Sequence, residues 1–266
     1  MISDHLAGSR DRDRAIHVVR RAVELGVNHI DTAAFYFSAR RSANELINSA
    51  LSPYPEDLVI ATKVGPGRDA SGGWLPWATP ERLRGQVQEN LRQLGRDHLD
   101  LVNLRTFGPR PIGEHVAVLA ELRDAGMIRE IGLSNVLDQL AEAQRIAPVV
   151  CVQNRFGIDS RLPGTEEVLR ACGERGLGFV PYFAIAGEGR EQGASGEEHD
   201  EVLAVARAHD ATPAQVRLAW TLHQGPHVLA IPGTGDPEHV AENVAAGTLR
   251  LTDEEIARLD AIHSPG

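Results

Sequence analysis

The sequence predicts an α/β protein whose parallel sheet is covered by helices and closes into a (β/α)8 TIM-type barrel. Short apolar, β-branched segments alternate with amphipathic helical segments along the chain, which is the pattern of a parallel sheet. The open doubly wound sheet is the alternative, but no Gly-x-Gly-x-x-Gly follows an early strand to support it. Because nothing interrupts the alternation, we expect residues 1–266 to form a single domain.

The first half of the chain starts with a predicted helix over residues 11–26, in which apolar residues recur at helical spacing and Gly26 supplies the end. A strand at 27–30, a helix at 42–51 and a strand at 58–62 follow. A long glycine-rich loop, 65–77, contains Trp74 and Trp77, which form either a pocket wall or a hydrophobic cover. Thr79 followed by Pro80 indicates the start of a helix that runs to Leu94.

The second half continues the alternation with strands at 99–104, 128–133, 149–152, 177–180 and 228–231. The helices between and after them are expected at 111–125, 136–146, 164–175, 197–209, 213–224, 237–246 and 253–262. Thr252 and Glu255 have the spacing of a capping box. Seven strands result, so the first barrel strand has to come from residues 1–11 and is expected to be short or missing.

The composition of the chain limits the classes of binding partner that we expect. The formal net charge of −10 disfavours nucleic acid and anionic membranes, and no apolar run is long enough to span a bilayer. The first residues lack the pattern of a signal peptide, and Cys151 and Cys172 lack the spacing of metal ligands. We therefore expect a cytoplasmic protein with two free thiols and no metal.

Polar side chains follow the apolar strands, at the end where a parallel barrel builds its active site. In chain order these are Asp31, Lys63, Arg105, Ser134 with Asn135, Gln153 with Asn154, Tyr182, and finally Pro232-Gly233-Thr234. Loops are generally polar, which explains some of these residues. It explains poorly a lysine and an arginine placed directly on apolar strands.

Asp31, Tyr36 and Lys63 form the central candidate site, because a carboxylate, a phenol and an amine follow neighbouring strands. An ammonium beside a phenol favours the phenolate, and a carboxylate orients that ammonium and offsets its desolvation. Tyr36 then serves as a general acid tuned by Lys63 and Asp31. The alternative is a surface Asp, a core Tyr and a solvated Lys, but three such residues at successive strand ends favour the functional interpretation.

With these motifs the chain resembles the aldo-keto reductases over about residues 12–263, and most closely their bacterial pyridoxal reductase-like branch. Asp31-Thr-Ala-x-x-Tyr36 and Thr62-Lys63 resemble the catalytic signatures of the family, and Arg105 takes the position of its usual histidine. The resemblance implies an NAD(P)H-dependent reduction of a small-molecule carbonyl, with NADPH as the cofactor and NADH as the alternative. It implies that Asp31, Tyr36, Lys63 and Arg105 are catalytic.

The same resemblance assigns the residues that hold the cofactor. Gly132-Leu-Ser134-Asn135 is similar to the segment that binds the nicotinamide carboxamide, with Gln153 assisting, and Tyr182 matches the ring that stacks on nicotinamide. The adenine-phosphate end is implied for Gly233, Thr234, His239, Glu242 and Asn243. Two departures concern function: Phe37 replaces the usual glycine after the tyrosine, and Asp236 stands near the expected phosphate.

Two other functions remain open at this point. A non-redox enzyme on the same barrel, such as a dehydratase, cyclase or isomerase, would use Tyr36, Lys63 and Arg105 for acid–base chemistry without hydride. A binding or regulatory protein would keep the fold without the chemistry, because a fold alone does not determine function.

Overall fold

A computed structural model describes residues 12–38, 41–69, 71–185 and 198–262. Six parallel strands form one sheet, in which strands that follow one another along the chain are also neighbours in space. They are β1 (His29–Asp31), β4 (Val59–Val64), β5 (Leu99–Arg105), β6 (Ile128–Ser134), β7 (Cys151–Gln153) and β8 (Gly178–Phe179). This order, with helices between the strands, is that of the predicted α/β barrel class. The predicted first strand, within 1–11, lies outside the described residues.

Ten α-helices are seen in the described ranges, and none of them is long and apolar enough to cross a membrane. They are α1 (Arg12–Glu24), α2 (Ala43–Leu51), α3 (Pro80–Leu94), α4 (Gly113–Asp124), α5 (Leu140–Gln144), α6 (Thr165–Glu174), α7 (Asp200–Ala208), α8 (Pro213–His223), α9 (Pro237–Ala245) and α10 (Asp253–Asp260). The predicted start of α3 is confirmed, and the predicted capping box of Thr252 and Glu255 begins α10. The glycine-rich stretch 187–196 lies outside the described residues.

The predicted strand at 228–231 is wrong beyond its first residue. Only Val228 forms a bridge, to Phe179 of β8, through bonds from Phe179 N to His227 O and from Leu229 N to Phe179 O. Since β8 itself ends at Phe179, the following residues have no partner strand on which to continue the ladder.

The predicted helix 136–146 is much shorter in the structure, where α5 covers only Leu140–Gln144. The side chain of Asn154 explains its late start. Its Oδ1 accepts from Val136 N at 3.1 Å and its Nδ2 donates to Val136 O at 2.6 Å. Because this amide takes both backbone groups of Val136, that residue takes no part in a helix.

Two short antiparallel pairings appear where the sequence predicted loop. β2 (Phe37–Ser38) and β3 (Arg41–Ser42) pair directly after Tyr36, and Ala43 N donates to Tyr36 O at 2.9 Å. In the 65–77 loop, Arg68 and Trp74 form an antiparallel bridge. Both pairings therefore order segments that stand next to the candidate site.

Side chains alternate between the two faces of the sheet, as the twofold period of a strand requires. Ile60, Val102, Ile131 and Val152 belong to the large core between sheet and helices. Their neighbours in the strands, Ala61, Leu101 and Cys151, form a smaller cluster with Val180 on the inner face. Because alternate residues share a face, positions 63, 103, 105 and 153 continue the inner face toward the carboxyl ends of the strands.

Candidate functional site

Lys63 and Asp31 form a buried ion pair at the carboxyl ends of neighbouring strands. Lys63 Nζ donates to Asp31 Oδ1 at 2.5 Å and to Thr32 O at 3.1 Å. The side chain of Lys63 is 3% exposed and that of Asp31 is 11% exposed. Because β1 and β4 run parallel with Asp31 opposite Ala61, the lysine two residues further on reaches back over the end of β1. The sequence pattern predicted Lys63 directly after its strand, whereas it is the penultimate residue of β4.

Tyr36 lies against the same ammonium. Lys63 Nζ is 5.0 Å from the centre of the Tyr36 ring, and Tyr36 is one of the groups that raise the pKa of Lys63. The four residues between Asp31 and Tyr36 form a tight turn, with Tyr36 N bonded to Ala33 O at 3.0 Å. The structure therefore brings together the carboxylate, the amine and the phenol that the sequence singled out.

The charges of this group are mutually compensated. Burial lowers the pKa of Lys63, but the Asp31 carboxylate and Tyr36 outweigh burial and hold that pKa above its ordinary value. In the adjacent strand, burial lowers the pKa of His29. The Asp31 carboxylate raises that pKa and the Lys63 ammonium lowers it further, and the net shift is downward. Lys63 is thus a permanent cation at neutral pH, and His29 is a neutral base in the wall beside it.

Gln153 completes the coordination of the carboxylate, a contact that sequence analysis missed. Its Nε2 donates to Asp31 Oδ2 at 2.8 Å, across 122 positions of the chain. Its Oε1 is buried and has no hydrogen-bond donor among the described residues. A buried amide oxygen without a donor is a place where a ligand N–H group is stabilised.

A buried polar network behind the ion pair was also not predicted. Thr32 Oγ1 donates to Asn44 Oδ1 at 2.8 Å, and Asn44 Nδ2 donates to Asn90 Oδ1 at 2.9 Å. Thr62, the residue before Lys63, donates to the same Asn90 oxygen at 2.5 Å. This network connects β1 and β4 through α2 and α3, so it fixes the two strand ends that carry Asp31 and Lys63. Asparagines at helical positions gave no signal that distinguishes them from surface residues.

The predicted nicotinamide segment forms a second group on the next strands. Ser134 is buried at the end of β6, and Asn135 has a left-handed backbone with φ of 61°. Tyr182 Oη donates to Asn135 Oδ1 at 2.8 Å, while Asn135 N donates to Gln153 O at 3.1 Å. Thr106 Oγ1 holds the Asn135 carbonyl at 2.7 Å. These contacts bring Ser134, Asn135, Gln153 and Tyr182 together next to Asp31.

Arg105 ends β5, on the inner face, but does not touch the Tyr36 hydroxyl. Its guanidinium lies 5.9 Å from the ring centre of Phe35 and 5.8 Å from that of Trp74. Its backbone carbonyl accepts from Trp77 Nε1 at 2.8 Å, which ties the 65–77 segment to β5. Arg105 thus stands beside the catalytic candidates, separated from them by the ring of Phe35.

The predicted adenine-phosphate residues lie on a different part of the chain. Gly233 and Thr234 precede α9, which carries His239, Glu242 and Asn243. Asp236, the N-cap of α9, accepts from Arg14 Nη2 at 2.6 Å. Within the described ranges, no hydrogen bond joins this stretch to the group around Lys63, and no cluster of three His, Cys, Asp or Glu side chains suits a metal.

The model of the aldo/keto reductase family matches residues 3–264. Pyridoxine 4-dehydrogenase of Escherichia coli strain K12 is 42% identical over 261 residues, which cover 95% of this chain and 88% of that protein. The thermostable aldo-keto reductase Tm1743, solved with the inhibitor epalrestat, superposes with a TM-score of 0.80 at 31% identity, covering 95% of this chain and 88% of the other. An aldo/keto reductase of Klebsiella pneumoniae, solved with NADP and acetate, gives 0.80 at 28% identity, covering 97% and 88%.

Proposed function

The chain belongs to the aldo/keto reductase family, and from that premise we propose that it is an NADP-dependent oxidoreductase reducing an aldehyde or ketone of a small molecule to an alcohol. The observation that carries the proposal is the buried ammonium of Lys63, held 2.5 Å from Asp31 and packed against Tyr36. Burying two opposite charges costs free energy unless good hydrogen-bond geometry compensates for the lost hydration. Here the buried ammonium lies against the phenol of Tyr36, which favours a functional role for the pair.

We assign the proton transfer to Tyr36. As hydride adds to the carbonyl carbon, the Tyr36 hydroxyl gives its proton to the carbonyl oxygen, which leaves an alcohol and a phenolate. The adjacent Lys63 ammonium stabilises that phenolate, and Asp31 keeps the ammonium in place with help from Thr32 O. Tyr36 regains a proton from solvent, so each turnover consumes one hydride and one proton.

The residues present fit a nicotinamide dinucleotide. The unpartnered Oε1 of Gln153 is an acceptor for the amide of a carboxamide, and Ser134 and Asn135 lie beside it. Tyr182, held through its hydroxyl by Asn135, presents a ring at the same place. NADPH, when bound, supplies the hydride, and the protein supplies orientation and charge. Two solved structures from Klebsiella pneumoniae contain NADP or NADPH, which supports this choice.

We assign the adenine-phosphate end to Gly233, Thr234, His239, Glu242 and Asn243. A free carboxylate at Asp236 would repel a phosphate there. The ion pair with Arg14, at 2.6 Å, compensates that charge, and the same carboxylate caps α9 through Glu238 N at 3.0 Å. The arrangement therefore does not oppose NADPH.

The test is consumption of NADPH by the pure protein with pyridoxal, chosen because a relative is named pyridoxine 4-dehydrogenase. Tyr36→Phe is expected to lower kcat by about 10²- to 10⁴-fold, since it removes the general acid. Nucleotide binding, followed by tryptophan fluorescence, should remain in this variant. Failure of both NADPH and NADH to bind would refute the proposal, and substrate turnover without any nucleotide would favour the non-redox enzyme.

We further infer that the chain forms one domain that acts in the cytoplasm on a small-molecule carbonyl substrate. Cys151 and Cys172 are buried free thiols, as expected in a reducing compartment. Burial raises the pKa of the Cys151 thiol to about 12, so this residue contributes packing and no nucleophile.

A further inference from the structure

The described residues of the segment 65–78 are tied to one another and to the end of β5. The bridge between Arg68 and Trp74 closes this segment, and Ala78 N donates to Gly65 O at 2.9 Å across its base. Trp77 stacks on His115 of α4, with ring centres 3.9 Å apart. A Cβ on Gly65 would lie 2.5 Å from Arg105 O, so the close approach of this segment to β5 requires glycine. Trp74 and Arg68 are thus held in place beside Arg105.

Two arginines meet on the indole of Trp74. The guanidinium carbon of Arg68 is 4.2 Å from the ring centre, and that of Arg105 is 5.8 Å from it. The two cations are therefore no farther apart than the sum of these distances. Trp74 is 49% exposed, so the platform that carries them is open to a ligand.

Neither guanidinium has a carboxylate partner within 4.0 Å among the described residues, although the chain has 37 acidic and 27 basic residues. The Nε atoms of both arginines are buried and lack an acceptor in the same part of the chain. Asp69, the neighbour of Arg68, is instead engaged in the turn of the 65–78 segment, where it accepts from Ser71 and Gly73 N. Two uncompensated arginines on one aromatic ring form a site for an anion with several oxygens.

The anion site is directly connected to the proposed general acid. Phe35 is buried between them, with its ring centre 5.1 Å from that of Tyr36 and 5.7 Å from that of Trp74. A carbonyl at Tyr36 and an anionic group at Trp74 are therefore separated by about the width of one ring. This separation suits a small aromatic aldehyde with its anionic substituent on the far side.

We infer that Arg68, Arg105 and Trp74 form a subsite for a phosphate monoester or carboxylate on the carbonyl substrate, which makes this enzyme selective for anionic aldehydes. The inference rests on the proposed function, since it concerns the substrate of the same site. Arg105 is also a catalytic candidate and lies 5.9 Å from the ring centre of Phe35, whereas Arg68 lies on the 65–78 segment and has no assigned catalytic role. Arg68 is therefore the residue through which selectivity can be separated from chemistry.

The experiment compares matched aldehydes that differ in charge. 4-Formylphenyl phosphate is set against 4-methoxybenzaldehyde, and 4-formylbenzoate against its methyl ester, so that the phosphate and carboxylate arms are read separately. The measured quantity is the ratio of kcat/KM for the anionic and neutral members of each pair. We expect a ratio above one in at least one arm, and a decrease of that ratio by about tenfold or more in Arg68→Gln. Added salt should lower the ratio as well, since the site is partly exposed.

Arg110→Gln is the control. Arg110 also places a guanidinium on an indole, 5.5 Å from its ring centre, but this indole belongs to Trp77 and not to Trp74. Its ratio should match that of the wild type, and Arg68→Lys should recover part of the selectivity lost in Arg68→Gln. Equal ratios in the wild type and Arg68→Gln, or an equal decrease in Arg110→Gln, would overturn the inference. If no neutral aldehyde is reduced either, the proposed function fails, which is a distinct result.

Discussion

Lys63→Met is the sharpest test of how the ion pair is built. Methionine retains the length of the lysine stem and removes its charge, so Asp31 keeps its carboxylate in a site that is only 11% exposed. Removing one partner of a buried pair costs about 3–5 kcal/mol. Gln153 still donates to one carboxylate oxygen at 2.8 Å, so we expect the lower end, about 3 kcal/mol of unfolding free energy.

The double variant Asp31→Asn with Lys63→Met distinguishes the loss of the ion-pair interaction from the loss of packing around the lysine stem. Without the carboxylate, the methionine no longer leaves an uncompensated charge. The double variant is therefore expected to be at least as stable as Lys63→Met, with a coupling energy of about 1–3 kcal/mol. Urea unfolding of the wild type, the two single variants Asp31→Asn and Lys63→Met, and the double variant measures these free energies. The dependence of the unfolding free energy on urea concentration is checked for two-state behaviour.

The outcome that contradicts this reasoning is a Lys63→Met protein within about 0.5 kcal/mol of the wild type, which is the range of ordinary surface substitutions. Purely additive free energies in the cycle would contradict it too, because Lys63 and Asp31 would then not interact. In either case the ammonium would not be held as the structure places it. The stabilisation of the Tyr36 phenolate would then lack its physical basis.

Three further predictions concern packing and pH. Gly132→Ala should lower the unfolding free energy by about 2–3 kcal/mol, because its Cβ would lie 2.1 Å from Asn103 Oδ1. Gly85→Ala lies in a helix with nothing within 4 Å of the new Cβ and should raise the unfolding free energy by about 0.5–1 kcal/mol. Urea unfolding compares the two variants. The pKa of His29 lies below its ordinary value, so the unfolded chain binds the extra proton and stability should fall as pH drops below about 6.5, with a weaker dependence in His29→Gln. The Tyr54 hydroxyl donates to Leu94 O at 2.7 Å, and burial raises the pKa of Tyr54 to about 12. The unfolding free energy should therefore fall as pH rises from about 10 toward 12, and Tyr54→Phe should flatten that decline.

Local chemistry explains what was predictable in the fold. Pro80 suits the first position of α3 through its fixed φ, and Thr252 with Glu255 caps α10 through bonds three residues apart, so both patterns can be read from the sequence. The strand exits were predictable for a similar reason, since an apolar run followed by Asp31 or by Lys63 needs no knowledge of the rest of the chain. The acid, the amine and the phenol were accordingly identified from the sequence, and the structure brings them into contact.

Contacts between distant residues were not predictable, even where each residue had been noticed. Asn154 delays the start of the helix after β6 by binding Val136, which no propensity of residues 136–146 indicates. The ladder at Val228 stops because β8 is short, a property of the partner strand. In both cases the tertiary structure overrode a local pattern that was correctly read.

The sequence by itself determined the class of fold, the family resemblance and the residues Asp31, Tyr36 and Lys63, because these depend on period, capping and motif. Only the tertiary structure decided that Gln153 holds Asp31 and that Arg68 meets Arg105 on Trp74. The physical reason is that burial, charge compensation and ring contacts depend on distances between segments far apart in the chain. Those distances are set when the sheet curls and the 65–78 segment closes over it, and no spacing within one segment encodes them.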